Sequence, residues 1–404
     1  MLPLLTRRHF LLSTAALTAG GYSGALPPSE RLRVGAVGIA GQGDHDLRQI
    51  AAAGAEVVAL CDVDENRKEV GKHRETFGKA KFFADYRKMI DAGGLDAVVV
   101  ATPDHTHAAA TLAALNADLH AFCEKPLAHT VEEARLVATT AARRKRVTQM
   151  GTQIHAGDNY RRVVELVRSG AVGPVREVHV WVAKDWGGGR RPKNTPPVPK
   201  GLHWDLWLGP AAERPYHPVY LPANWRRFWD FGGGTLNDMA CHYADLPFWA
   251  LKLRHPTRVE AEGPPADPVG TAHSLVVHYD FPARGDMPAC KLHWYDGGKK
   301  PDVPGFKLPE KWGDGVLFVG DKGMLLANYD RRVLLPEAAF KGFKALRPAI
   351  KNSVRRLQGV GGGVQAEQAD DVQLRLLEAL TEAVFFQAVA ALAAGQAVRL
   401  GRRR

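Results

Sequence analysis

Long apolar runs are missing from this chain once its first thirty residues are passed, and with them any candidate for a membrane-spanning helix. Cysteine is scarce: four in 404 residues, at Cys61, Cys123, Cys241 and Cys290, with no C-x-x-C spacing and no His/Cys cluster of the kind that holds zinc. Cys61 closes an apolar strand pattern, Cys123 sits in another and Cys241 lies in a helix-like run, so these thiols read as small buried fillers rather than disulfide partners. No internal repeat is present. A basic stripe interleaved with aromatics is also missing, which speaks against a nucleic-acid partner despite a formal net charge of +11. Part of that excess is local, in Arg7, Arg8 and the three terminal arginines. The rest is scattered among acids and implies a mild preference for anionic surfaces or substrates.

What is present begins with an address. Thr6-Arg7-Arg8-His9-Phe10-Leu11-Leu12 puts two arginines before a short apolar run, followed by small residues through Ala25. The run is too short for a stable membrane helix and reads as a signal h-region. The arginine pair resembles a bacterial twin-arginine export signal, so residues 1–30 are expected to be a signal and the mature protein to be periplasmic or otherwise extracytoplasmic. That pathway carries folded proteins, so a cofactor could be loaded before export.

The remaining length suits two domains, each with its own core. Leu32–Val37, Glu56–Cys61, Leu95–Ala101 and Leu119–Cys123 are apolar throughout, as strands covered on both faces must be. Helical spacing fills the gaps at Asp44–Ala53, Glu65–Phe77, Tyr86–Ala92 and His107–Ala117, with Thr130–Arg144 and a strand at Val147–Gly151 completing the series. This alternation predicts a doubly wound parallel sheet, a Rossmann-type domain over residues 31–150. From 151 to 404 the pattern changes. A helix at Asn159–Ser169 leads into the alternating run Val175–Lys184, and then to a Gly/Pro/Lys/Trp-rich stretch from Trp186 to Phe231, too long for a plain connector and expected to form a site. Alternating runs at His273–Phe281, Ala289–Tyr295, Gly315–Val319 and Gly323–Ala327 predict a mostly antiparallel sheet with one covered face. Lys341–Gly363 reads as a basic loop or lid, and Ala366–Ala394 as helical.

Three motifs carry chemistry. The first strand runs into Gly38-Ile39-Ala40-Gly41-Gln42-Gly43 and then a helix, the arrangement that lets backbone approach a pyrophosphate at a helix N-terminus. Ala40 stands at the middle position of G-x-G-x-x-G, where Gly41 next door would have to compensate. Asp62, nineteen residues beyond Gly43, ends the second strand; an acid there accepts from a ribose 2′-hydroxyl and repels a 2′-phosphate, which favours NAD(H) over NADP(H). Thr102-Pro103-Asp104-His105-Thr106-His107 and Glu124-Lys125-Pro126 follow later strands, at the edge where doubly wound sheets bind ligands. Gly232-Gly233-Gly234 precedes a helix on which Asp238 and His242, four apart, share a face, so that the carboxylate is expected to orient the imidazole and raise its basicity, although a purely structural Asp–His pair fits the motif equally.

Taken in order, these motifs resemble the glucose–fructose oxidoreductase / inositol dehydrogenase (Gfo/Idh/MocA) family over about residues 31 to 400. The resemblance implies a Rossmann domain followed by an α/β domain whose open sheet supports a homo-oligomer, dimer or tetramer. It implies Lys125, Asp238 and His242 as the catalytic group and Pro126 in a cis peptide. Gly38, Ala40, Gly41, Gly43, Asp62, Thr102, Pro103, His107, Glu124, Lys125 and Pro126 are the expected cofactor-binding positions. His203-Trp204-Asp205-Leu206-Trp207-Leu208-Gly209-Pro210 and Trp225-Arg226-Arg227-Phe228-Trp229 resemble the signal-bearing, environmental-bacterial branch of that family. Tyr216, Trp225, Arg226 and Trp229 are candidates to meet a sugar-like substrate, although the aromatics would serve equally as core. The expected reaction is oxidation of a secondary hydroxyl of a sugar, polyol or glycoside with transfer of hydride to NAD. The same residues would also serve a redox-neutral hydrolase, lyase or epimerase acting through a transient keto intermediate, or, less economically, a sensor.

Overall fold

The computed structural model describes residues 31–344 and 347–352. The signal-like segment, the Ala366–Ala394 pattern and the part of the Lys341–Gly363 run beyond residue 352 lie outside the described residues, as do the three terminal arginines.

The first sheet contains β1 (Arg33–Val37), β2 (Glu56–Cys61), β3 (Lys81–Phe83), β4 (Ala97–Val100), β5 (His120–Cys123) and β6 (Thr148–Met150), in the order β3-β2-β1-β4-β5-β6, every pair parallel. Helices α1 (Gln42–Ala52), α2 (Lys68–Thr76), α3 (Tyr86–Asp91), α4 (Asp104–Asn116) and α5 (Val131–Arg144) supply the crossovers. Val34, Ala36, Leu60 and Val99 pack into one apolar cluster, and Val37, Cys61, Val98, Val100 and Cys123 into another on the other side of the sheet. Burial on both sides is why these strands lack polar alternation. The strand order reverses between β1 and β4, which opens a crevice at their carboxyl ends.

The second sheet contains β7 (Val175–Trp181), β8 (Arg258–Glu262), β9 (Val276–Phe281), β10 (Cys290–Tyr295), β11 (Gly315–Gly320), β12 (Gly323–Ala327) and β13 (Arg332–Leu335), in the order β13-β12-β11-β7-β10-β9-β8. Only β7 and β10 run parallel; all other pairs are antiparallel. Its covered face (Val178, Val180, Leu292, Trp294, Val277, Tyr279) packs against α6 (Asp158–Arg168), α8 (Gly234–Tyr243) and α9 (Asp245–Leu251). Between β7 and α8 the chain forms only the five-residue α7 (Trp204–Leu208) and two short 3-10 turns. That stretch is held by an aromatic core in which Trp204, Trp207, Tyr216, Tyr220, Trp225, Phe228 and Phe231 are all buried. The four cysteines are free thiols and buried. Among the described residues, no helix is long and apolar enough to cross a membrane.

Candidate active site

The glycine-rich turn folds as it does because two of its positions have no room for a side chain. Gly38 has φ +77°, donates to the Cys61 carbonyl at 2.8 Å, and would place a Cβ 2.6 Å from the Ala101 oxygen; a side chain on Gly43 would collide with the Gly38 carbonyl. Ala40 is accommodated because its role is carried by backbone: its carbonyl accepts from Gly43 N at 3.1 Å. Gly41, with φ +59° and open space where a Cβ would stand, gives the close approach at the start of α1 that the sequence places at position 40. Asp62 is buried, its Oδ2 accepting from Ile39 N at 2.9 Å and its Oδ1 from Asp64 N at 3.0 Å. Burial raises its pKa to about 6 against the pull of those two N–H groups. The acid therefore braces the turn as well as standing where a ribose would bind. Open backbone at Gly41 and an acid at the end of β2 fit a dinucleotide without a 2′-phosphate.

The loops after β4 and β5 are joined by one imidazole. His107 Nδ1 lies 2.6 Å from the Pro126 carbonyl and Nε2 lies 2.7 Å from the Thr102 carbonyl. Carbonyls only accept, so the ring donates from both nitrogens and is an imidazolium. Burial opposes that charge, but the Cys123 sulfur, Asp104 and the Pro126 carbonyl raise the pKa to about 10. His107 thus fixes the Thr102–Pro103 turn against the cis Lys125–Pro126 peptide. Glu124 sits behind, its Oε2 accepting from Lys125 N at 3.2 Å; burial and the neighbouring Asp46 push its pKa up. Asp46, wholly buried in α1, is likewise raised by burial, and its Oδ2 has no partner among the described residues.

Lys125 reaches from this loop to the second domain. Its Nζ donates to Asp238 Oδ1 at 2.7 Å and to the Asp238 carbonyl at 3.0 Å. Arg226 Nε adds 3.2 Å to the same Oδ1, while Oδ2 takes the Trp186 indole N–H at 2.8 Å and has Lys184 Nζ at 3.5 Å. Burial alone would raise the Asp238 pKa; Lys125, Arg226 and Lys184 instead hold it far below the usual carboxylate range. The expected pairing of Asp238 with His242 is not what forms. The two share a face of α8, but the lysine and arginine outcompete the imidazole for the carboxylate, and His242 Nδ1 is buried without a hydrogen-bond partner. Burial first, then Lys125, Lys184 and Arg226, lower the His242 pKa to about 3 with Asp238 opposing, the reverse of the expected rise in basicity. The helix itself is anchored by Tyr160, whose hydroxyl donates to the His242 carbonyl at 3.0 Å, and by Asn237, whose amide donates to buried Asp104 at 2.9 Å.

Of the four candidate substrate positions, Arg226 alone meets this cluster. Trp225 lies beneath it, with the Arg226 guanidinium 4.1 Å from its ring centroid. Tyr216 and Trp225 belong to the aromatic core, and Trp229 is half-buried beside a separate cavity of about 170 Å³, its N–H bound to the Asp267 carbonyl at 2.9 Å. Lys184, Trp186 and Asn237 carry no motif and were not singled out. Trp186 does open the Gly/Pro/Lys/Trp stretch expected to form a site. It is held by a seam of three chain segments: Gly188 N donates to Thr271 O at 2.9 Å, Thr271 N to Arg227 O at 3.0 Å and Trp229 N to Val269 O at 3.1 Å. In that seam a side chain on Gly189 would strike the Arg227 carbonyl, and one on Gly270 the Gly189 carbonyl.

Residues 32–152 match the model of an oxidoreductase family described as having an NAD-binding Rossmann fold, and residues 159–284 match that family's C-terminal alpha/beta domain. Inositol 2-dehydrogenase from Salmonella typhimurium is 32% identical over 151 residues, 37% of this chain and 45% of the relative; the match spans about half the length of such curated relatives. The WlbA dehydrogenase from Chromobacterium violaceum, solved with NADH and UDP-GlcNAcA, superposes with a TM-score of 0.58 at 18% identity, over 92% of this chain and 97% of that one. An aldose-aldose oxidoreductase from Caulobacter crescentus gives 0.57 at 17% identity, over 92% and 100%.

Proposed function

The chain belongs to the Gfo/Idh/MocA family of NAD-binding oxidoreductases, and on that footing we propose that it oxidises a secondary hydroxyl of a sugar, polyol or glycoside. The observation that carries this reading is the meeting of Lys125, from the carboxyl end of the parallel sheet, with Asp238 and His242 of the second domain. NAD, with its pyrophosphate held at the Gly38–Gly43 turn, would supply the hydride acceptor through its nicotinamide. Lys125 is kept protonated by Asp238 and Asp104 in spite of its burial, so it presents positive charge where an alkoxide develops. His242, uncharged at neutral pH, is the group we assign to take the hydroxyl proton, as a base weakened by burial and by the neighbouring cations. Asp238 holds the lysine in place and offsets its charge.

Export by the twin-arginine route is part of the same proposal, motivated by Arg7 and Arg8. Outside the cytoplasm little free NAD(H) is on hand, so the mature protein is expected to keep its nicotinamide, and the cycle then closes by passing the hydride to the carbonyl of a second substrate or back to the ring carbon it came from. A nanomolar Kd with association near 10⁶ M⁻¹s⁻¹ gives dissociation at about 10⁻³ s⁻¹, so retention for hours needs tighter binding still. The test is a screen of free sugars and aryl glycosides with protein purified after export, read for NADH, for released aglycone and for nicotinamide freed on denaturation. Oxidised sugar matched by reduced nicotinamide supports the reading. Aglycone release without net NADH would replace it with a redox-neutral cycle, and empty protein that needs millimolar NAD would sink retention.

A further inference from the structure

Asp238 is outnumbered. Lys125, Arg226 and Lys184 all direct their charge at this single carboxylate, and the structure pairs none of the three with a second carboxylate among the described residues. A fourth cation stands close. Lys184 Nζ, Arg226 Cζ and Arg227 Cζ lie 5.4, 5.5 and 5.4 Å from the centroid of the Trp186 ring, whose N–H is spent on Asp238. The remaining acids do not close the balance. Asp104, fully buried and bound to Asn237, sets its one negative charge against both Lys125 and His107. Asp185 turns outward to His273 at 3.0 Å. The cluster thus carries more positive than negative charge, beside a cofactor whose oxidised ring adds one more.

The three cations also differ in depth. The Lys125 side chain is 10% exposed, that of Arg226 25% and that of Lys184 46%. The inner one suffices for the reacting hydroxyl; the outer two are open to solvent. Cations crowded at low dielectric repel one another, and a bound anion relieves that repulsion while accepting charge-assisted hydrogen bonds. We propose that the substrate is an anionic sugar, carrying a carboxylate or phosphate that Arg226 and Lys184 bind while Lys125 serves the hydroxyl to be oxidised. This rests on the oxidoreductase reading above and narrows it.

The experiment uses the full chain loaded with NAD and matched pairs: glucose with glucuronate and gluconate, and glucose with glucose 6-phosphate. Both binding, by calorimetry, and NADH formation are measured, at low and at high salt. The anionic member is expected to be favoured at least about tenfold in kcat/KM or Kd, with the ratio shrinking as salt rises. Which anion wins identifies carboxylate or phosphate as the group bound. Lys184→Gln is expected to bring the ratio towards one and Lys184→Arg to restore most of it; the side chain is half-exposed, and circular dichroism checks the fold of both variants. Neutral sugars oxidised as well as their anionic partners, with a ratio indifferent to Lys184, would overturn the charge assignment and leave the oxidoreductase reading intact. Anionic sugars that bind preferentially yet never reduce NAD would do the opposite. Neither binding nor turnover by either class overturns both.

Discussion

Buried acids behave in opposite ways at the cofactor turn and at the Lys125–Asp238 cluster. In the Rossmann half, Asp46, Asp62 and Glu124 lie under the cofactor turn and the lysine loop with backbone or amide donors at most, and burial raises all three. In the other half Asp238 is as deeply placed, yet three cations drive its pKa down. Burial is common to both, so it is the partner that decides whether a carboxyl keeps its charge. At the cofactor turn the acids are held by neutral N–H donors, while Asp238 is held by permanent cations.

The contrast is broken most sharply at His242. His242→Asn is expected to keep NAD bound while lowering turnover by roughly 10²–10⁴, the range for a lost general base; near-normal turnover on an identified substrate would remove His242 from the mechanism. Lys125→Met takes the innermost cation from Asp238 and the alkoxide site together, and a fall in kcat of roughly 10²–10³ is expected, with little change in NAD affinity by fluorescence titration. On the cofactor side, Asp62→Ala loses the acceptor for Ile39 N and Asp64 N, and about a tenfold or greater weakening of NAD is expected with substrate KM nearly unchanged.

Two pH measurements sharpen the comparison with smaller effects. A base must be unprotonated to act, and the His242 pKa is lowered to about 3, so activity is lost only as pH falls through that low value. The acid limb of kcat/KM at saturating NAD is therefore expected well below the ~6.5 of an ordinary histidine; a limb at ~6.5 would show that neither burial nor the cations depress this ring. Asp46 shifts the other way. Its folded pKa is raised, so its contribution to stability is full below the unfolded value near ~3.9 and is lost as pH rises through the folded one. Asp46→Asn in cofactor-free protein is expected to raise the melting temperature at pH 8 by a few degrees and to leave it nearly unchanged at pH 4. An equal shift at both pH values would rule out titration of Asp46 as the cause.

The first sheet was legible because its strands are covered on both faces and therefore spelled in unbroken apolar runs. The three-residue β3 was too short to register, and α4 starts at Asp104, three residues before its apolar spacing becomes visible. In the second sheet β12 was read with its observed ends, but β8 and β13 were missed: β8 alternates charged Arg258, Glu260 and Glu262 with two small apolar residues, and β13 follows a turn with only four residues. At the site, Lys125, Asp238 and Arg226 stand out in the sequence, while Lys184, Trp186 and Asn237, which bind around them, carry no signal of their own. Spacing four apart puts Asp238 and His242 on one face, but it cannot say that Lys125, 113 residues earlier in the chain, will take the carboxylate. Tyr216 and Trp225 illustrate the same limit, since an aromatic side chain is spelled identically in a core and in a sugar cleft.

The seam behind Trp186 has a consequence for how such a site can change over generations. Its wall is backbone laid against backbone, with Gly189 and Gly270 too close to neighbouring carbonyls to accept even a methyl group. Point mutation therefore has almost nothing to work with there: any larger residue must first pry three segments apart, and Trp186 would lose its footing. Variation in what the protein accepts is channelled to the rim, to side chains such as Lys184, Arg190 and Trp229, which can be exchanged one at a time without disturbing the frame. In a saturation library screened only for folding, the seam glycines should be emptied of substitutions while those three positions stay populated.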